Sequence, residues 1–372
     1  MKILLKLYPK INLGDDLFLK IICERYPQHD FYLLAEDNYN IFCTYFPNLH
    51  LISPKFQDSL FNKILRKLGL KVFPKLFKKE LQAVYKKQYK NFDIGYDAFV
   101  SIGGSIFMQS TENLDLDNEI AFYDLVNQAL PKIPKYFVGC NFGPFKNPEY
   151  ISLYKSIFQK ATDVCFREEY SAEIFNDIKS VRWAPDVVFG MSIPNIEKDI
   201  NSVGFSIVKA RSSIDENGYY KKYSELINRY LELGKNVYLF SFCEEEGDEF
   251  AINTIISYLQ TDQKVNKVFY KGNIDEFLSI YGKMNIVYCG RFHAMILSML
   301  YQQQIYPVVY SKKMMNVLND VQYKGKEIQL VEFLEIDIDQ TIRDANHNFY
   351  DISKERVVAQ TQFEALDNLL NQ

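Results

Sequence analysis

The sequence predicts an α/β protein of two doubly wound βα domains facing each other across a cleft. Three observations carry that prediction. Short apolar runs alternate with segments of helical periodicity from the first residues onward, the pattern of parallel βα units. The alternation halts in the polar stretch 191–202, which contains Pro194, and then starts again. A chain of 372 residues also exceeds one ordinary core and suits two. Residues 1–190 are expected to form the first domain and 203–352 the second, with 353–372 a terminal helix packing back on the first.

In the first domain Ile3–Leu7 reads as a strand, Asp15–Arg25 as a helix and Phe31–Ala35 as the next strand. The connecting loop carries Asn12, Gly14 and Asp15: glycine permits a tight backbone approach, and aspartate suits a helix cap. The first βα loop of a doubly wound sheet is a common ligand position, although a cap after a turn explains the same residues equally well. The strand through Asp97–Ile102 ends in Gly103-Gly104-Ser105, and the strand from Lys135 runs through Gly139 to Gly143-Pro144. A third, Thr162–Phe166, ends at Arg167, which is either a cleft residue or a surface arginine paired with Glu168 or Glu169. Three strand ends with special residues favour one shared cleft. The stretch Val181–Phe189, with Pro185-Asp186, closes this half.

Between Lys55 and Lys90 eleven Lys or Arg face two acids, interleaved with Leu, Phe and Ile. Basic amphipathic helices of this kind lie on anionic lipid or hold a polyphosphate; a solvated face over an ordinary buried stripe is the equal alternative.

The second domain alternates Val203–Val208, the helix Tyr219–Leu233, Asn236–Phe242, the helix Glu244–Leu259, Lys267–Tyr270 and Ile274–Tyr281. Its centre is the stretch after the strand Asn285–Cys289: Gly290 turns the chain sharply, and the apolar spacing from Ala294 to Tyr301 reads as a helix. Arg291 and His293 thus fall between a strand's carboxyl end and a helix's first turn, where unpaired N–H groups and the helix dipole favour anions. The strand Gln304–Tyr310 leads through Ser311-Lys312-Lys313 into another helix, and Ser353–Leu370 reads as a final helix.

Composition narrows the function. A formal net charge of −4 gives no whole-protein case for nucleic acid. The 29 Phe and 27 Tyr point to large cores or carbohydrate-facing surfaces without deciding between them. Six cysteines lie without a CxxC pair, mostly in apolar surroundings, and read as reduced, buried thiols of a cytoplasmic protein, with no metal constellation. Met1–Pro9 has a charge amid its apolar residues and no small-residue cleavage site, so it reads as a first strand. No apolar run is long enough to span a bilayer. His293 is the one histidine of four within a motif; His29, His50 and His347 read as surface residues.

Seven pieces then occur in a telling order: Asn12-x-Gly14-Asp15, Gly103-Gly104-Ser105, Gly139 with Gly143-Pro144, Arg167 with Ser171, Pro185-Asp186, Arg291-x-His293-Ala294 and Tyr310-x-x-Lys313. This order resembles that of the polysaccharide pyruvyl transferase family, over the chain from near its start to about residue 320. The resemblance implies two Rossmann-like domains with a GT-B-like fold, and transfer of pyruvate from phosphoenolpyruvate onto a sugar as a ketal across two hydroxyls. It further implies a donor site at Arg291 and His293 on the second domain, a functional role for Arg167, and the acceptor side on the first. No cofactor is implied; phosphoenolpyruvate is the donor substrate. The acceptor is a sugar of a cell-surface polysaccharide or its precursor, and a lipid-linked one would suit membrane contact through 55–90 at the inner face. Many members keep an arginine after the first strand of the second domain; here Lys209 or Arg211 stands in for it, or the role is lost.

The chemistry asks for such residues independently. Phosphoenolpyruvate carries a carboxylate and a phosphate, which arginine's planar fork grips without losing its charge; Arg291, Arg167 and Lys313 are the candidates. An imidazole titrating near neutrality exchanges protons with the enol methylene and the attacking hydroxyl, a role for His293, although a histidine at a helix start also caps or packs. Asp186 and Asp15 orient a hydroxyl or merely form turns. Two rival functions remain: a GT-B nucleotide-sugar glycosyltransferase, whose diphosphate would sit at the same helix starts, and a non-catalytic scaffold of polysaccharide assembly.

Overall fold

The structure, a computed structural model, describes residues 1–8, 10–52, 95–112, 114, 117–210, 214–260 and 265–371. The basic stretch 55–90 and Arg211 therefore lie outside the described residues. The chain divides into two compact units: Met1–Pro9, Leu19–Val187 and Gln360–Gln372 make the first, and Lys10–Phe18 with Val188–Ala359 the second.

Among its described residues the first unit holds seven parallel strands: β1 (Lys2–Lys6), β2 (Asp30–Leu34), β3 (Leu49–Ile52), β4 (Ala98–Ile102), β5 (Lys135–Cys140), β6 (Asp163–Phe166) and β7 (Val181–Trp183). Their order is β3-β2-β1-β4-β5-β6-β7, the doubly wound arrangement with its reversal between β1 and β4. The strands β4, β5 and β6 are buried at every residue, which is why they read as mostly apolar runs, broken only by Ser101, Lys135 and Asp163: a parallel sheet is covered on both faces. One face packs the helices Asn118–Ala129 and Pro148–Phe158. Asp117 caps the former, accepting from the N–H groups of Glu119 and Ile120 at 3.0 and 3.1 Å. Much of the aromatic content is spent here: Phe107, Tyr123, Phe137, Tyr154 and Phe158 are buried, with ring centroids 5.0–6.4 Å apart.

Among its described residues the second unit holds six parallel strands: β8 (Asp199–Ser206), β9 (Asn236–Ser241), β10 (Asn266–Phe269), β11 (Met284–Cys289), β12 (Gln304–Val309) and β13 (Ile328–Gln329). The order β10-β9-β8-β11-β12-β13 repeats the reversal, now between β8 and β11. Gly204 in β8 suits its crowded neighbours, since a Cβ there would lie 3.0 Å from the Phe240 ring and 3.1 Å from the Met284 side chain. The helix Glu216–Glu232 buries a row of tyrosines, and Tyr230 and Tyr288 share a hydrogen bond of 2.9 Å within that core.

Four details differ from expectation. The strand β8 begins at Asp199, inside the stretch read as a linker. The helix expected from Glu244 starts at Asp248, because Gly247 in the left-handed region (φ +86°) breaks the turn ahead of it. The terminal helix is interrupted: Ser353–Val358 and Glu364–Leu370 are helical and Ala359–Phe363 is a tighter 3-10 turn. That turn aims the fully buried Gln362 inward, where its amide donates to the carbonyls of Phe166, Ala184 and Pro185 and its oxygen accepts from Gly139 N–H. His29 is not a surface residue but 9 % exposed, with Nδ1 3.1 Å from the Met1 amine and Nε2 2.8 Å from the Leu370 carbonyl. No helix among the described residues is long and apolar enough to cross a membrane. The six cysteines are free thiols.

Candidate active site

Each unit gathers polar residues at the carboxyl ends of its strands, where doubly wound sheets bind ligands. In the first unit four neighbouring strands each deliver their next residues to one cluster: Gly103–Ser105 after β4, Asn141 after β5, Arg167 after β6 and Asp186 beyond β7. The Arg167 side chain is 1 % exposed and reaches Asp186, itself fully buried, from Nη1 at 3.1 Å. Its Nη2 donates to Asn141 Oδ1 at 2.6 Å and lies 3.4 Å from Ser105 Oγ. Gly104 leaves the room for this, as a Cβ there would sit 2.7 Å from Nη1. Ser171 links the cluster to the chain after β5, donating to Glu168 at 2.6 Å and accepting from Phe142 N–H at 2.8 Å. The arginine is thus not on the surface but buried, with Asp186 as its charged partner across the cluster. A buried charge held on three sides fixes the relative placement of four loops.

In the second unit the sharp turn after β11 is a consequence of close backbone approach. Gly290 N–H donates to the Ser206 carbonyl at 3.0 Å, and a Cβ at Gly290 would lie 2.3 Å from that oxygen. Arg291 is then the residue before the helix Phe292–Leu300, and His293 is that helix's second residue. Arg291 is committed: Nε donates to Asp248 Oδ2 at 3.1 Å, Nη2 bonds Asp248 Oδ1 and Nη1 pairs with Glu246. Burial alone would lower the guanidinium's pKa, but Asp248 and Glu246 hold it above its ordinary value. Burial pushes the Asp248 carboxyl up despite Arg291.

The segment Lys10–Phe18 belongs to this second unit and packs on the turn. Leu13 N–H donates to the Phe242 carbonyl at 3.1 Å, just past β9. The fully buried Asp16 accepts from the Tyr270 hydroxyl at 2.8 Å, just past β10, and from Asn12 N–H at 3.1 Å. Asn12 also donates to Asp15 at 2.9 Å and accepts from Gly14 N–H at 3.2 Å, so the loop is internally braced. Gly14 lies against the imidazole, and the Phe18 ring meets it edge-on at 5.3 Å. A Cβ on Gly14 would stand 1.8 Å from His293 Nδ1. Gly14→Ala is therefore expected to displace the ring while the fold survives, read as a large shift of the His293 imidazole resonances with little change in the amide spectrum of the first unit. Lys313 places Nζ 5.5 Å from the Phe292 ring centroid. Lys209 runs beside Gly247, with Nζ 5.2 Å over the Phe250 ring.

Asn12, Gly14, Asp15, Arg291, His293 and Lys313 thus gather in the second unit, and Gly103, Gly104, Ser105, Arg167 and Asp186 in the first. Sequence reasoning passed over Asn141, Asp16, Tyr270, Glu246, Asp248 and Gln362. Asp248 carried a signal, a helix-starting aspartate after glycine; the rest reveal themselves only through partners distant in the chain.

Comparisons with known proteins agree on the architecture. A UDP-GlcNAc 2-epimerase from Neisseria meningitidis has a TM-score of 0.63 at 10% identity, covering 100% of both chains. One from Methanocaldococcus jannaschii gives 0.58 at 11% identity, covering 99% of each. At such identities the likeness shows the fold alone: two parallel-sheet α/β domains of the GT-B type. A sequence relative is the amylovoran biosynthesis protein AmsJ of Erwinia amylovora, 23% identical over 339 residues, which are 82% of this chain and 78% of that one. The family model for polysaccharide pyruvyl transferase matches residues 12–312, from the loop that braces His293 to the start of the helix bearing Lys313, and the chain belongs to that family.

Proposed function

We propose that the protein transfers pyruvate from phosphoenolpyruvate to a sugar of a cell-surface polysaccharide or its precursor, closing a ketal across two hydroxyls. The observation that carries this reading is the placement of His293 on the first turn of a helix beside Arg291, in a chain whose family match covers both. The AmsJ relative, an amylovoran biosynthesis protein, supports the acceptor class.

The first sugar hydroxyl adds to C2 of the enol phosphate while a proton reaches the methylene carbon, which becomes the methyl group. The second hydroxyl then replaces phosphate at the same carbon, losing its proton as inorganic phosphate departs. His293 is the proton-transfer residue, presented by the Gly14 approach and the edge contacts of Phe18 and Phe292. The helix N-terminus and Lys313 supply positive potential for the donor's carboxylate and phosphate. Arg291 adds its charge there and holds the turn through Asp248. The first-unit cluster braces the loops on the acceptor side, and a lipid-linked acceptor would draw the chain to the inner membrane face.

Incubation with phosphoenolpyruvate and a panel of sugar acceptors, lipid-linked and nucleotide-linked included, is expected to release phosphate and add one pyruvate to the acceptor by mass spectrometry. Turnover of a sugar nucleotide with no phosphoenolpyruvate consumed would replace this reading with glycosyl transfer.

A further inference from the structure

Arg291 is held by two carboxylates of different kinds. Asp248 is fully buried and receives four donors: the N–H groups of Phe242 and Cys243 at 3.0 and 3.1 Å, Nε of Arg291 at 3.1 Å, and Nη2. That is as many as a carboxylate's lone pairs accept, so Asp248 is a fixed part of the turn. Glu246 holds only the remaining nitrogen, Nη1, and its side chain is 41% exposed. It sits in a loop of three consecutive glutamates, each on a different cation: Glu244 on Lys271, Glu245 on Lys10 at 2.8 Å, and Glu246 on Arg291. Burial pulls the Glu246 carboxyl up, but Arg291, with Lys313 and Lys10 behind it, holds it below the ordinary carboxylate range. An ionised, half-exposed carboxylate thus occupies the meeting point of three cations at the edge of the His293 turn.

We propose that Glu246 is an exchangeable counter-ion, which holds the place of a ligand carboxylate or phosphate at the Nη1 edge of Arg291 and yields it when that anion binds. The inference rests on the reading of this turn as the donor site. Its consequence is selectivity. A ligand bringing its own carboxylate or phosphate replaces Glu246 on the guanidinium, whereas a neutral ligand cannot do so without breaking the Glu246–Arg291 pair uncompensated. Were Glu246 to remain, it would repel the anion that the surrounding cations attract.

The test is calorimetric titration of the full chain with phosphoenolpyruvate, inorganic phosphate and pyruvate, comparing wild type with Glu246→Gln, Glu246→Asp and Glu245→Gln. The last removes the same charge from the same loop without touching Arg291. Glu246→Gln is expected to tighten anion binding about fivefold, the weight of one half-exposed ion pair, and clearly more than Glu245→Gln does. Glu246→Asp, whose carboxylate is withdrawn by one methylene, is expected to fall between, and it decides the matter if the Gln variant does not fold. Weaker binding by Glu246→Gln, or tightening no greater than that of Glu245→Gln, would overturn the proposal and make Glu246 a permanent strut. Failure of every anion to bind any variant would overturn it as well. If phosphate and pyruvate show the expected order and phosphoenolpyruvate does not bind, the counter-ion stands and the donor reading falls.

Discussion

Replacing His293 with alanine is expected to lower kcat by about 10²–10⁴-fold, the usual contribution of a positioned acid–base group. The Michaelis constant for phosphoenolpyruvate should change little, because the cationic groups around the turn stay in place. The imidazole is half-buried between the Phe18 and Phe292 rings, with centroids at 5.3 and 5.0 Å, so its loss leaves a small gap and not a broken core. Circular dichroism and denaturant midpoints close to wild type would confirm that the loss is chemical. A second variant, His293→Gln, fills most of the space without a titrating ring; it should be as inactive as alanine. Turnover within tenfold of wild type in either variant would remove His293 from the mechanism, leaving helix-start packing as its role.

The fold was largely legible because parallel strands buried on both faces leave a clear trace: near-continuous apolar runs such as Ala98–Ile102, interrupted only by Ser101, and Ile286–Cys289, spaced by helices and stopped by glycine. The special residues at strand ends were legible for the same reason, since Gly104, Arg167 and Asp186 fall where a run stops. Their mutual contacts were not. Sheet order decides that β4 to β7 lie side by side, and no local pattern states it. The Lys10–Phe18 segment shows the limit clearly. By position it follows β1 and goes with the first sheet, yet the Leu13–Phe242 and Asp16–Tyr270 hydrogen bonds tie it to loops more than two hundred residues away. The same blindness applied to charge. A motif reading counts Arg291 and Arg167 as cations to be offered to a ligand, whereas each is already held by a buried aspartate, Asp248 43 residues upstream and Asp186 19 residues downstream. Gln362 was invisible for another reason: a lone glutamine in a helical pattern looks solvated until the helix is seen to break around it.

Removal of Asp186 is expected to destabilise the first unit strongly. The Arg167 side chain is 1 % exposed, and Asp186→Ala takes away its buried carboxylate while Asn141 and Ser105 remain as neutral acceptors. Breaking a buried pair from one side costs about 3–5 kcal/mol, because an uncompensated charge is left behind. Asp186→Asn, which keeps an acceptor oxygen in place, should lose less. Hydrogen exchange at the amides of β5 and β6, followed with a denaturant titration, measures the loss in this unit separately from the second. The double variant Arg167→Met with Asp186→Leu supplies the opposite arm: replacing a whole buried pair with apolar groups of similar volume is often neutral, so most of the stability should return. Its activity then separates two roles that stability alone confounds. A stable, active double variant makes Arg167 a brace for the loops after β4 to β7, which its burial favours. A stable variant that binds phosphoenolpyruvate normally but no longer turns over would instead place the guanidinium in the chemistry.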